Sequence, residues 1–179
     1  MSYVFELVHL PAGIDPADAY EKLRREKERS SHADGGDPGP LAPAVEDKKR
    51  KLVASLLAKN PGLKLFDRNY AAIAQERSIT ESEARRLFRN LQLNDNAHST
   101  QIEIFDDEAG VAFSFDGTTS ECTKAFHLLW DCLQILETEG SFSVYDAQLA
   151  RVLDLREEFS AVLKKVCGSN ARSEPSSAT

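Results

Sequence analysis

The spacing of apolar residues changes several times along the chain, and each change indicates a different element. Residues 3–10 are apolar on both alternating faces, which favours an interior strand. Asp15 and Pro16 supply a helix N-cap and a first-turn proline, so a mostly solvated helix is expected to follow. Residues 30–43 are rich in Gly and Pro with almost nothing to bury, which predicts a mobile linker.

Helical spacing returns after this linker. Residues 45–57 predict an amphipathic helix that ends at Asn60-Pro61-Gly62, with the basic run 48–51 directed to water. A short helix is expected over residues 69–75. The capping-box sequence 80–83 then starts a helical stripe that reaches Leu91.

The second half of the chain alternates before it becomes helical again. Residues 102–115 predict a β-hairpin around an acidic connection, and residues 121–139 predict a long, buried helix. Extended pieces at 142–145 and 151–153 precede a last helix over 159–166.

Strands paired by a short hairpin, with helices between the others, predict an α+β fold. We expect a mixed or antiparallel sheet of about four strands with helices packed on one side of it. Residues 1–168 are expected to form a single domain that contains the linker, followed by a disordered tail at 169–179.

Composition and charge narrow the class of partner. The chain has 179 residues, of which 41% are hydrophobic and 28% charged, enough to bury one core. Its 29 acidic and 22 basic residues give a formal net charge of −7, which argues against nucleic acid or anionic membranes and favours a basic partner. Without a signal-peptide pattern or an apolar run of about 20 residues, a cytoplasmic location is expected.

Cysteine usage and the motifs give no indication of catalysis. The three cysteines are an odd number without CxxC spacing, so neither a disulfide framework nor a zinc site is expected. Cys122 and Cys132 fall on the core-facing stripe of the long helix, where a thiol behaves as a small hydrophobe. The sequence contains no GxSxG, GxGxxG or phosphate loop. We therefore assign no catalytic residue, no cofactor and no enzymatic activity.

The acidic connection is the first candidate site. Asp106, Asp107 and Glu108 lie in the hairpin turn, with Glu103 nearby. Their oxygens could bind a divalent cation, but the alternating ligands of an EF-hand are missing, so no metal is assigned. A solvated turn and a protein-contact surface remain as alternatives.

The second candidate site is a polar bend, and Trp130 on the long helix is a separate candidate contact residue. Tyr145, Asp146, Gln148 and Arg151 surround a bend that is either a turn held by the Asp146 side chain or part of a contact surface. Trp130, the only tryptophan, either packs against a second layer or anchors a partner.

Residues 102–155 carry a resemblance. The residues IEIFDDEAG at 102–110, the aromatic centre of the following helix, Gly140 and VYDAQLARVLDL at 144–155 resemble a pattern of small bacterial cytoplasmic proteins, mostly of unassigned function. Such proteins are similar to immunity proteins encoded beside secreted toxins. Ala147 and Ala150 stand where that pattern has Pro and Gly, so the turn here can differ in shape.

The resemblance implies a non-enzymatic cytoplasmic protein that sequesters and inhibits a cognate toxin, in keeping with an acidic surface that covers a basic active site. The expected partner is therefore a basic protein rather than nucleic acid or a membrane, and a homodimer through an exposed sheet edge stays open. One alternative is a small-ligand or enzymatic site between the helix that starts at Glu121 and the Tyr145 bend. Another is a DNA-binding regulator that uses the helical pair 70–91, with residues 80–91 as recognition helix.

Overall fold

The structure, a computed structural model, describes residues 2–11, 13–31, 39–40, 42–97, 100–115 and 117–168. The strands in this part of the chain are β1 (Ser2–Val8), β2 (Lys64–Leu65), β3 (Leu91–Asp95), β4 (Thr100–Ile104), β5 (Glu108–Ser114), β6 (Ser143–Asp146) and β7 (Arg151–Val152). The helices are α1 (Pro16–Ser31), α2 (Pro43–Lys59), α3 (Tyr70–Arg77), α4 (Glu81–Leu87), α5 (Thr119–Thr138) and α6 (Phe159–Gly168). None of these helices is long and apolar enough to cross a membrane.

The strands form one antiparallel sheet in the order β2-β3-β4-β5-β1-β6-β7. The predicted α+β class is confirmed, and β1 is an interior strand between β5 and β6 as expected. The predicted number of about four strands is wrong, since the described chain forms seven. Leu91 continues the helical stripe of α4 in the sequence but begins β3 in the structure, and β2 is only two residues long.

Helices lie on both faces of the sheet. Tyr3, Phe5 and Leu7 alternate onto one face of β1, where they share the main core with residues of α2, α5 and α6. Val8 faces the other way, in a smaller cluster with Tyr20 of α1. The expectation that all helices pack on one side is therefore wrong for α1.

The predicted helix boundaries follow from local hydrogen bonds. Asp15 Oδ1 accepts from the Ala17 amide at 2.9 Å, and both Thr80 and Thr118 form capping boxes. At the predicted linker 30–43, α1 extends to Ser31 and α2 begins at Pro43, so the ends of that segment are helical. Residues 32–38 and 41 of the linker, and the predicted tail 169–179, lie outside the described residues.

The packing of α6 on α5 brings two cysteines together. Cys122 lies in the first turn of α5 and Cys167 in the last turn of α6, and they form a disulfide with a Cα–Cα distance of 5.7 Å. The expectation that the chain contains no disulfide is wrong. The two residues are 45 positions apart, and only the tertiary packing of two helix ends joins them.

Candidate binding groove

A cavity of about 520 Å³ lies where the turn between β4 and β5 meets α2 and the end of α4. Val45, Leu87 and Phe105 give it apolar walls, and Asp107 and Glu108 bring carboxylates to its rim. Leu87 is 39% exposed and Asp107 is exposed, so the cavity is open to solvent. We call it the acidic groove.

A network of ion pairs lies beside the acidic groove and shares Asp106 and Arg89 with its lining. Lys49 Nζ lies 2.9 Å from Asp106 Oδ1, 2.5 Å from Glu46 Oε1 and 3.1 Å from the Arg89 carbonyl oxygen. Arg89 donates to the other oxygen of Asp106 and, at 3.0 Å, to the Gly39 carbonyl. Because Lys49 is only 2% exposed, its three acceptors are what make a buried ammonium tolerable.

The network fixes the charge of the groove. Burial by itself raises the pKa of Asp106, but hydrogen bonds and positive charges from Lys49 and Arg89 outweigh burial and hold the pKa below its usual value. Asp106 is therefore ionised at neutral pH. Lys49 and Arg89 both contact Asp106, whereas Asp107 is exposed to solvent, so Asp107 places a carboxylate at the open side of the groove.

The turn itself is short. The Phe105 amide donates to the Glu108 carbonyl at 2.9 Å, which leaves Asp106 and Asp107 as the two loop residues of a tight hairpin. Asp106 turns toward the cations and Asp107 toward solvent. Glu103, the fourth predicted acidic residue, lies on β4 and accepts from Gln101 Nε2 at 2.9 Å.

Trp130 packs in the core, which is the first of its two predicted roles. The side chain is 4% exposed, and its Nε1 donates to the Leu155 carbonyl at 3.1 Å. Phe126 and Phe159 lie against the ring. Its ring therefore offers no surface to a partner, and Trp130 leaves the set of contact candidates.

The polar bend is a closed structural turn. Asp146 is fully buried, and its Oδ1 accepts from the amides of Gln148 and Leu149, each at 2.9 Å. Its Oδ2 accepts from the Tyr3 hydroxyl at 2.6 Å. Burial, and then this bond, raise the pKa of Tyr3.

The other three residues of the bend also contact neighbouring residues of the chain. Tyr145 is buried and stacks on Tyr20 with 3.5 Å between ring centroids. Arg151 pairs with Glu158. Gln148 is exposed, and its Oε1 accepts from the Val4 amide at 3.3 Å.

The sheet register separates the two predicted contact regions. Glu108 pairs with Val8 at one end of β1, whereas the amide of Ala147 donates to the Val4 carbonyl at the other end. Four residues of a strand span about 13 Å. The acidic turn and the polar bend therefore belong to different surfaces.

Sequence reasoning missed the cations of the groove. The basic run 48–51 was expected to face water, but Lys49 precedes Leu52 and Val53 by three and four residues and so lies on the apolar stripe of α2. That spacing is a signal visible in the sequence. Nothing local indicates Arg89, which reaches Asp106 only through tertiary packing.

The structure also places the residues of the two alternative functions. In the helical pair, Arg85 bonds to Glu81 and lies over the Tyr70 ring at 4.6 Å, while Arg89 is part of the groove. Tyr145 points to the face of the sheet opposite α5, so the sheet stands between them. Among the described residues, no group of three or more His, Cys, Asp or Glu is arranged to hold a metal ion.

Comparisons of this chain with protein-family models, with curated proteins and with solved structures find no match. A functional argument therefore depends on the geometry and chemistry of the acidic groove.

Proposed function

We propose that this chain is a non-enzymatic cytoplasmic protein that binds a basic protein partner in the acidic groove, and that the partner is a toxin that it neutralises as an immunity protein. One observation carries the proposal: apolar side chains and the exposed Asp107 flank a turn that Lys49 and Arg89 hold in place. The resemblance of residues 102–155 to immunity-like proteins supports a toxin as the partner. The first motif of that resemblance, residues 102–110, contains the turn between β4 and β5 that lines the groove.

The apolar walls supply the part of an interface that excludes water. Leu87 is a large apolar side chain exposed at the groove, and Phe105 and Val45 are half-buried beside it. Covering apolar area contributes about 25 cal/mol per Å². A partner side chain seated between these residues would form the apolar centre of a contact with a charged rim.

The rim supplies charge selectivity. The exposed carboxylate of Asp107 and the net charge of −7 attract a basic partner over several ångströms and speed its association. Lys49 and Arg89 hold the turn through Asp106, so less order has to be gained when the partner binds.

The proposal is tested by affinity capture at moderate salt from the native host, followed by a neutralisation assay. We expect one basic protein in a stoichiometric complex, whose expression alone is toxic and whose toxicity is relieved by co-expression of this chain. Asp107→Lys should lower its affinity at least tenfold. Glu157→Lys, an exposed site near α6 with the same charge change, serves as the matched control and should bind as the wild type does.

Small-ligand binding is a second candidate, favoured by the volume of the groove. A cavity of about 520 Å³ falls within the size range of small-molecule sites. A thermal-shift screen of metabolites separates the two: a stabilising ligand whose effect is lost in Leu87→Ala, with no protein captured, would favour this candidate.

A further inference from the structure

The disulfide joins two helix ends that have no other covalent connection nearby. Cys122 and Cys167 are 1% and 2% exposed, so the sulfurs lie within the core where α6 meets α5. Cys132 lies ten residues further along α5, about 15 Å from Cys122 at the rise of an α-helix. It is outside disulfide range of Cys122, so the chain contains one matched pair and one isolated thiol.

The segment closed by this link includes β6, β7 and α6. Inside it, Val162 and Val166 of α6 are buried in the main core, and Phe159 packs on Phe126 and Trp130. These apolar contacts dock α6 without the disulfide. The covalent bond therefore adds to a helix that is already in place rather than creating its position.

The positions of the cysteines give a route for reaction. Cys167 is followed only by Gly168 in α6, and the last turn of a helix opens more readily than its middle. Since α6 contributes no strand, opening of its last turn would expose the sulfur of Cys167 while the sheet stays paired. Cys132 differs, because burial, with the charges of Asp131 and Asp95, raises its pKa to about 12 and keeps the thiol protonated.

We propose that Cys122 and Cys167 form a reversible redox site whose co-reactant is a small disulfide of the glutathione class. The thiolate of one cysteine attacks a sulfur of the small disulfide, forms a mixed disulfide and releases one small thiolate. The thiolate of the second cysteine then attacks the protein sulfur of this mixed disulfide and releases the other small thiolate. The two protons lost by the cysteines pass to the two small thiols, so two thiols of the protein are oxidised and one small disulfide is reduced.

Oxidation pins α6 to the start of α5, and reduction leaves α6 held by its apolar contacts alone. The polar bend contacts α6 and the residue before it: Lys165 donates to the Gln148 carbonyl at 3.4 Å, and Glu158 pairs with Arg151. A movement of α6 is therefore expected to reach the bend. The acidic groove lies at the opposite end of β1 and shares none of these residues. The redox site is therefore independent of the proposed function, and either can fail without the other.

In the experiment, the full chain is equilibrated in mixtures of reduced and oxidised glutathione. Free thiols are then alkylated in denaturant, and the mass of the protein is measured by mass spectrometry. We expect one alkylated cysteine, Cys132, at the oxidising end and three at the reducing end, with a reversible transition between them. The oxidised protein should unfold at a temperature about 10 °C higher than the reduced one. Amides of α6 should exchange with solvent faster in the reduced form.

Two variants identify the pair. Cys167→Ala should unfold at the temperature of the reduced wild type in every glutathione mixture. The unfolding temperature of Cys132→Ala should change with the mixture as that of the wild type does. Three alkylated cysteines in every mixture would overturn the proposal, and so would a disulfide that persists in every mixture. Equal unfolding temperatures of the oxidised and reduced wild type would also overturn it, and this comparison needs no variant.

Discussion

Two turns that each contain an aspartate lie at opposite ends of strand β1, and the two aspartates differ in their partners and in their burial. Asp106, between β4 and β5, bonds to Lys49 of α2 and to Arg89 of the connection between α4 and β3, and a groove opens beside it. Asp146, after β6, bonds to two amides of its own turn and to Tyr3, and it is fully buried.

The difference shows what converts a turn carboxylate into a surface feature. Two amides of its own turn and the Tyr3 hydroxyl of β1 satisfy Asp146, and its side chain is fully buried, so it offers no oxygen to a partner. At the other turn, Lys49 and Arg89 hold Asp106 and the neighbouring Asp107 is exposed to solvent. The two aspartates differ in burial and in the charge of their partners, and this difference decides which turn presents a carboxylate at the surface.

The largest expected effect is the loss of Lys49. Lys49→Met leaves Glu46 and Asp106 without the ammonium that lies between them, and breaking one side of a buried pair costs several kcal/mol. We expect the free energy of unfolding, measured by urea denaturation, to fall by about 3 kcal/mol. Lys51→Met, on an exposed position of the same helix, should change it by less than about 0.5 kcal/mol. Equal effects of the two variants would contradict the buried network.

Asp146→Ala should cost slightly less. It leaves the Tyr3 hydroxyl and two backbone amides without their acceptor, at about 1 kcal/mol for each lost bond. We expect a loss of about 2–3 kcal/mol, with no loss of partner binding because this turn is structural. Asp154→Ala is the control. The Asp154 side chain also accepts from an amide of its own turn, that of Arg156, but it is exposed to solvent. A variant as stable as the wild type would show that the buried bonds of Asp146 do not matter.

Acid should weaken the ion pairs of Asp106. The pKa of Asp106 is lower in the folded state than in the unfolded chain, so its contribution is present above the unfolded pKa of about 4 and is lost as the pH falls through the folded value. We expect the wild type to lose more stability than Asp106→Asn when denaturation is compared at pH 5 and pH 2. Identical pH slopes would mean that Lys49 and Arg89 do not favour the charged form of Asp106.

The smallest effect concerns the backbone of the polar bend. Ala150 has a φ of +53°, a left-handed conformation that glycine adopts at less cost. Ala150→Gly should raise the free energy of unfolding by about 0.5–1 kcal/mol. Thermal unfolding measures this change, and an unchanged or lower midpoint would contradict it.

Much of the fold could be predicted because its elements are encoded locally. The capping boxes at Thr80 and Thr118 and the alternation of Ile102, Ile104 and Val111 define helices and a hairpin within a few residues. Strand β3 was not predicted, because Leu91, its first residue, fits the helical stripe of α4 equally well.

The candidate site was only half predictable for a related reason. Asp106 and Asp107 are adjacent in the sequence, so the acidic turn could be found, whereas Arg89 and Lys49 come from distant segments. The pairing of Cys122 with Cys167 is equally non-local. Trp130 shows the limit of residue type alone, because an aromatic side chain suits a core and an interface equally well.

The most direct test of the proposed function is the dissociation constant of the captured basic partner, measured in parallel for three forms of the chain. These are the wild type, Asp107→Lys at the groove and Glu157→Lys at an exposed position just before α6 that does not line the groove. The account predicts at least a tenfold weaker complex for Asp107→Lys, with the other two equal. Equal affinity of all three would contradict the assignment of the acidic groove as the binding surface, and capture of no protein at all would contradict the proposed function.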